Sequence, residues 1–118
     1  MKAIRGAINF IEDSANEIAT KTEELFNEII RVNSLDIDNV VCIIFSLTGD
    51  VTAAYPAVTF REKFSSKVPL FSCLEPNIQG SMPLTLRVLI IHEGEQNTPV
   101  YMSETKKLRK DLFYENSN

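Results

Sequence analysis

Leu84-Thr85-Leu86-Arg87-Val88-Leu89-Ile90-Ile91-His92 reads as the longest strand of the chain: aliphatic and β-branched residues fill it, and a single arginine interrupts it. A strand so apolar belongs inside a sheet, so its partners are sought on either side. Upstream, Val40-Val41-Cys42-Ile43-Ile44-Phe45-Ser46 has the length and branching of a buried central strand, and Thr48-Gly49-Asp50 breaks it. Between these two lie a short helix over Ala57 to Lys63, with Pro56 at or near its first turn, and a strand over Val68 to Cys73. Pro76, Gly80 and Pro83 mark a loop. Downstream, Glu93-Gly94-Glu95-Gln96-Asn97 is a polar turn into a last short strand near Val100-Tyr101-Met102.

The N-terminal part supplies the remaining layer. Ala3 to Phe10 reads as a short strand, and a long helix follows from about Ala15 to Arg31, stopping at Asn33-Ser34. Ser14 and Glu17 form a capping box at its start. Ala15, Ile18, Leu25 and Ile29, flanked by Phe26 and Ile30, recur at helical spacing, while Glu17 and Lys21 stand four apart on the wet side. Asp36-Ile37-Asp38 is a turn or a single helical turn. The order predicts an α/β (α+β) fold: a mixed β-sheet with one long and one short helix, covered on one face. The other face needs a partner, which neighbouring copies of the chain would supply.

The chain's 118 residues are one domain's worth, so residues 1–118 are expected to form a single domain ending in a flexible polar tail from about residue 113. With 44% apolar residues a core is available, and oligomerisation is a natural supplement at this size. A net charge of −4 argues against nucleic-acid binding, which needs a basic footprint. Arg5 interrupts the apolar residues where a secretory signal would need a continuous run, and Val88-Leu89-Ile90-Ile91 is far short of a bilayer span. A cytoplasmic location is expected, with Cys42 and Cys73 as free thiols. One histidine, His92, cannot build a zinc-type cluster or a nucleophile–histidine constellation, and there is no phosphate-cradling glycine motif. No metal and no cofactor are expected.

Arg87 is the most informative residue. A guanidinium in a strand written for burial is costly unless a carboxylate or phosphate pairs with it. An internal ion pair with Glu75, at the end of a strand before Pro76, would satisfy it. A place on an exposed strand face would do so too. Arg5, Arg61 and Arg109 also border apolar segments, and an anionic ligand would explain the set, since the planar fork matches carboxylates two bonds at a time. Tyr101 reads either as core or as a hydroxyl donor.

Several segments resemble the trimeric, non-helical class of chorismate mutases. Ile4-Arg5-Gly6-Ala7 is similar to that family's N-terminal strand. The run from Ser46 to Arg61 resembles its middle signature: Ser-x-Thr-x-Asp, then aromatic-Pro-Ala, then an arginine four residues after the alanine. Val68-Pro69 through Glu75 to Arg87-Val88 repeats its glutamate and arginine spacing, and Val100-Tyr101 and Leu108-Arg109 match its C-terminal part. The likeness runs from about Ile4 to Leu112.

The resemblance implies a pseudo-α/β-barrel homotrimer that rearranges chorismate to prephenate in phenylalanine and tyrosine biosynthesis. It implies that Arg87 meets the ether oxygen and a carboxylate, that Glu75 accepts from the ring hydroxyl, and that Arg5 and Tyr101 hold the enolpyruvyl carboxylate. Tyr55, Ala57, Arg61, Leu70, Phe71 and Ser72 would line the site from the adjacent subunit, with Leu108 and Arg109 near its mouth. The chain departs from the pattern at Val58, where relatives often carry lysine, and at Ser72, where cysteine is common and Cys73 is displaced by one. Two alternatives remain at this point: a trimeric RidA-like imine deaminase, and a non-catalytic metabolite-binding subunit of the same fold.

Overall fold

The computed structural model describes residues 1–113, and the rest of the polar tail, Tyr114 to Asn118, lies outside the described residues. Five strands form one mixed sheet: β1 (Lys2–Asn9), β2 (Val40–Leu47), β3 (Leu70–Leu74), β4 (Thr85–His92) and β5 (Val100–Tyr101). Their order across the sheet is β3-β2-β4-β1-β5. β4 is the central strand, antiparallel to both β1 and β2, whereas the β2–β3 and β1–β5 pairs are parallel. Two helices, α1 (Ala15–Asn33) and α2 (Pro56–Lys63), cover one face. A 3-10 turn over Ile37–Asn39, a 3-10 segment over Ser103–Arg109 and a last helical turn, α3 (Lys110–Phe113), complete the described chain.

The long helix forms where its cap and apolar spacing place it. Ser14 accepts from Glu17 N at 3.2 Å, and Ser34, in the left-handed conformation, ends the helix by donating its backbone N–H to the Ile30 carbonyl. The second half of the expected capping box does not form, because the Glu17 carboxylate accepts from Ile11 N at 2.8 Å. Lys21 accordingly pairs with Glu24 rather than Glu17. Ile18, Leu25, Phe26 and Ile29 are buried as the periodicity predicts; Ala15 stays exposed, and Thr22 and Asn33 complete the buried stripe. Asn33 is fully used: its amide donates to the Ile29 and Thr98 carbonyls, and its oxygen accepts from Thr98 N. This ties the end of α1 to the strand entering the sheet edge.

The core lies between these helices and one face of the sheet. Phe26 is its centre, with ring centroids 4.8 Å from Phe60 and 5.8 Å from both Phe45 and Phe64. Helix α1 can sit this close because of Gly6: a Cβ there would lie 2.7 Å from Ile29 Cδ1 and 3.0 Å from Val88 Cγ2. His92 is buried and staples the following turn, accepting from Gly94 N and contacting the Gln96 carbonyl at 2.7 Å.

Three expectations are corrected here. β2 is not the central strand, and only Ile43 and Phe45 on it are buried, because α1 and α2 cover one face alone. β4 too is buried on one side: Leu86, Val88 and Ile90 enter the core, whereas Arg87 is exposed and Leu89 and Ile91 are only half-buried. The short strand before Glu75 starts at Leu70, not Val68.

Candidate active site

The open face of the sheet carries the charged groups. Strand pairing sets Arg87 beside Ser46 on one side and Ala7 on the other, and Ala7 in turn faces Tyr101. Leu89 is flanked by Arg5 and Ile44. Period-two alternation therefore puts Arg5, Ile44, Ser46, Arg87 and Leu89 on the same surface. Together with Glu75, Tyr101 and Arg109 they line a cavity of about 270 Å³.

Glu75 reaches that face because β3 continues for one more bonded residue, with Glu75 N donating to the Leu47 carbonyl at 2.8 Å. Its carboxylate is divided between two partners. Oε1 takes Arg87 Nε at 3.1 Å, and Oε2 accepts from the Ser46 hydroxyl. The Arg87 side chain is 47% exposed and that of Glu75 16%. The ion pair weighed from the sequence thus exists, on the half-open face rather than inside the core. Its close contact is through Nε, and among the described residues the two terminal nitrogens of Arg87 have no hydrogen-bond partner. They are donors left available to an anion.

A second cavity, about 480 Å³, meets the first at Glu75 and Arg87 and runs under the loop after Glu75 to Leu108. Gly80, with φ +83°, supplies the left-handed residue this loop turns on. A larger hollow of about 610 Å³ is lined by the same loop and by Glu75, but it touches none of the arginines. The charged cavity is the one whose groups converge on a common point.

Arg109 stands at the rim in a two-point pair with Asp111, Nε to Oδ1 at 3.0 Å and a terminal nitrogen to Oδ2 at 2.8 Å. The hydrogen bond to Arg109 holds the Asp111 carboxyl below its ordinary range, and the same contact raises the guanidinium. The segment bearing Arg109 is tied to β1, since Met102 N and the Thr105 hydroxyl both donate to the Ala7 carbonyl.

The structure therefore brings together Arg87, Glu75, Arg5, Tyr101, Leu108 and Arg109. It does not bring Tyr55, Ala57, Arg61, Leu70, Phe71 or Ser72 into the same cavity of one chain. Tyr55, 63% exposed, lines a separate hollow with Val51 and Leu47. Ala57 is buried in the first turn of α2, and Arg61 is exposed on its last turn. Leu70, Phe71 and Ser72 belong to edge strand β3, which α2 packs against, so these six form a second cluster at the other end of the sheet. Ser72 pairs with Phe45, whose side chain is in the core, while Cys73 pairs with Ser46. Within one chain, Cys73 shares the open face and Ser72 does not.

Sequence reasoning missed the use of Ser46, Thr48, Asp50 and Asp13. Thr48 accepts from Thr85 N and donates to Asp50, whose carboxylate also takes Leu84 N at 3.0 and 3.1 Å. That grip holds Leu84 at φ +47°, a strained conformation for a branched residue, at the entry to β4. Asp13 accepts from Thr52 N, the Thr52 hydroxyl and Ala53 N, fixing the loop before Tyr55. The signal was the spacing Ser-x-Thr-x-Asp, which reads as a turn motif and turns out to reach the end of β3 and the start of β4.

Comparison with known proteins agrees with this geometry. The family described as chorismate mutase type I matches residues 1–112. The chain is 34% identical to the chorismate mutase AroH of Thermus thermophilus, over 95% of this chain and 96% of that protein. It is 31% identical to chorismate mutase AroH of Bacillus subtilis, over 95% and 92% respectively. The solved chorismate mutase of Clostridium thermocellum superposes with a TM-score of 0.86 at 30% identity, covering 91% of this chain and 99% of that one. Nothing in these matches supports an imine deaminase. The chain belongs to the type I chorismate mutase family, and its activity is that of a chorismate mutase, an isomerase of aromatic amino acid biosynthesis.

Proposed function

We propose that the cavity between Arg5, Glu75, Arg87 and Tyr101 is where chorismate rearranges to prephenate, and that a homotrimer completes it. The observation that carries the assignment is the single ion pair between Arg87 Nε and Glu75, which leaves the terminal guanidinium nitrogens available on a face that also presents Arg5 and Arg109. A Claisen rearrangement breaks a C–O bond and forms a C–C bond within one molecule. It needs no nucleophile and no proton transfer. What it needs is a flexible dianion held in a compact chair-like shape, and positive charge where electron density gathers on the ether oxygen.

In this reading Arg5 and Tyr101 hold the enolpyruvyl carboxylate, Arg87 meets the ether oxygen and a carboxylate, and Glu75 accepts from the ring hydroxyl. The fixed dipoles are already placed by the sheet, so little reorganisation accompanies the reaction. Leu108 and Arg109 stand near the mouth.

The trimer is supported by two features. Ile44, Leu89 and Ile91 are left half-buried and Phe71 is 67% exposed on a sheet that only one helical layer covers. The second cluster, with Tyr55, Ala57, Arg61, Leu70, Phe71 and Ser72, sits away from the first in one chain but would meet a neighbour's first cluster across a rotated interface. We place the enzyme in the cytoplasm, where the free thiols of Cys42 and Cys73 suit a reducing compartment.

Subunit complementation tests the assembly. Arg87→Ala and Arg61→Ala chains are each expected to be poorly active alone. Mixed by co-refolding, they should regain activity, because some interfaces then join an intact Arg87 to an intact Arg61. Mixed oligomers no more active than their parents would overturn the interfacial site.

A further inference from the structure

We infer that Ser46 is a positioning residue for the reaction: its hydroxyl fixes the Glu75 carboxylate in the orientation that holds Arg87. The inference rests on the assignment of Glu75 and Arg87 above and extends it to a residue of the cavity lining that acts through them.

The geometry is specific. Ser46 lies on β2 directly opposite Arg87 on β4, so its hydroxyl and the base of the guanidinium arm share one rung of the sheet. Glu75 enters from the end of β3 and lies across both. One carboxylate oxygen is taken by the Ser46 hydroxyl and the other by Arg87 Nε. A carboxylate held by one partner alone can rotate about its last torsion, which is broad and shallow. With both oxygens committed it cannot rotate without breaking a charge-assisted hydrogen bond. Ser46 thereby also decides which nitrogen of Arg87 is used: Glu75 is kept on Nε, and the terminal nitrogens of this cavity-lining residue stay available.

Nothing else among the described residues replaces this contact. Thr48, the next hydroxyl on the same strand end, is spent on Thr85 N and Asp50. Cys73, opposite Ser46 on β3, points its thiol at the Phe45 carbonyl at 3.5 Å. Removing the Ser46 hydroxyl leaves Glu75 Oε2 without a partner among the described residues. The substitution Ser46→Ala removes one oxygen from a half-buried strand position and leaves the strand pairing and the core untouched.

The test is a double-mutant cycle on chorismate turnover with Ser46→Ala, Glu75→Ala and the double variant, with melting temperature measured beside it. Ser46→Ala should lower kcat about ten-fold, the size of one lost hydrogen bond to a charged group, and change KM little. In the Glu75→Ala background the same substitution should change kcat less than about two-fold, because a residue that acts through Glu75 has nothing left to position. Additive losses in the cycle, or a loss confined to KM, would show that Ser46 acts structurally or on substrate directly and would overturn the inference. So would a folded Ser46→Ala enzyme with normal kcat beside an impaired Glu75→Ala enzyme. A fully active Glu75→Ala enzyme would instead refute the assignment of Glu75 itself.

Discussion

Replacing Arg87 separates the catalytic use of this arginine from its structural one. The structural use is small. The pair with Glu75 is a single contact at 3.1 Å with the arginine side chain 47% exposed, so solvent screens it and its loss should cost about 1 kcal/mol or less. Arg87 contributes nothing to the core, whose β4 members are Leu86, Val88 and Ile90. Arg87→Ala should therefore fold, assemble and melt within a few degrees of the parent. The catalytic use is large if the terminal nitrogens meet charge that develops on the ether oxygen, since such a contact is stronger in the transition state than in the ground state. Losing it should lower kcat by about 10²–10³-fold. Arg87→Lys should recover little of this. The lysine ammonium is one compact donor group, and the Glu75 carboxylate within reach would engage it, whereas the guanidinium serves Glu75 with Nε and still offers its other nitrogens. The assay is loss of chorismate absorbance at saturating substrate, with thermal melting and light scattering on the same samples. A folded Arg87→Ala protein of parental assembly and near-normal kcat would refute the reasoning.

Other perturbations probe the frame that holds the site. Gly6→Ala should destabilise by about 1–3 kcal/mol in denaturant unfolding, because its Cβ would meet Ile29 and Val88 in a filled core; an unchanged midpoint would mean that α1 can slide freely on the sheet. Phe26→Ala empties the centre of four packed rings and should cost about 3–5 kcal/mol, read by the same titration. Asp13 is held below its ordinary value of 3.8, first by the Thr52 hydroxyl and then by the Ala53 and Thr52 amides. A carboxyl with a depressed folded pKa stabilises above the unfolded value and loses that contribution as pH falls through the folded one. The stability gap between the parent and Asp13→Asn should thus be full near neutrality and close in acid, below the ordinary 3.8, and a gap independent of pH would contradict the assigned hydrogen bonds.

The element order was legible because each element carried its own local signal. Ser14 and the Ile18–Ile29 spacing wrote the long helix, Pro56 wrote the start of the short one, and β-branched runs wrote the strands. Strand order was not legible. Which strand is central depends on pairings far apart in sequence, so β2 looked as interior as β4 although only Ile43 and Phe45 of β2 reach the core. Glu75 and Arg87 stood out because each is a charge at an apolar border. Ser46, Thr48 and Asp50 did not, because short polar side chains after a strand fit any turn, and their work is done on residues 29 to 37 positions away. Asn33 was read as a helix stop, whereas its side chain spans to Thr98.

The central claim is that this face acts through fixed charge and shape, with no group giving or taking a proton in the rate-limiting step. The dependence of kcat on pH, measured with chorismate at saturation, tests it most directly. A preorganised clamp predicts a nearly flat profile across the neutral range, since an essential acid and base would show as a bell. A clear bell centred near neutrality would contradict the account.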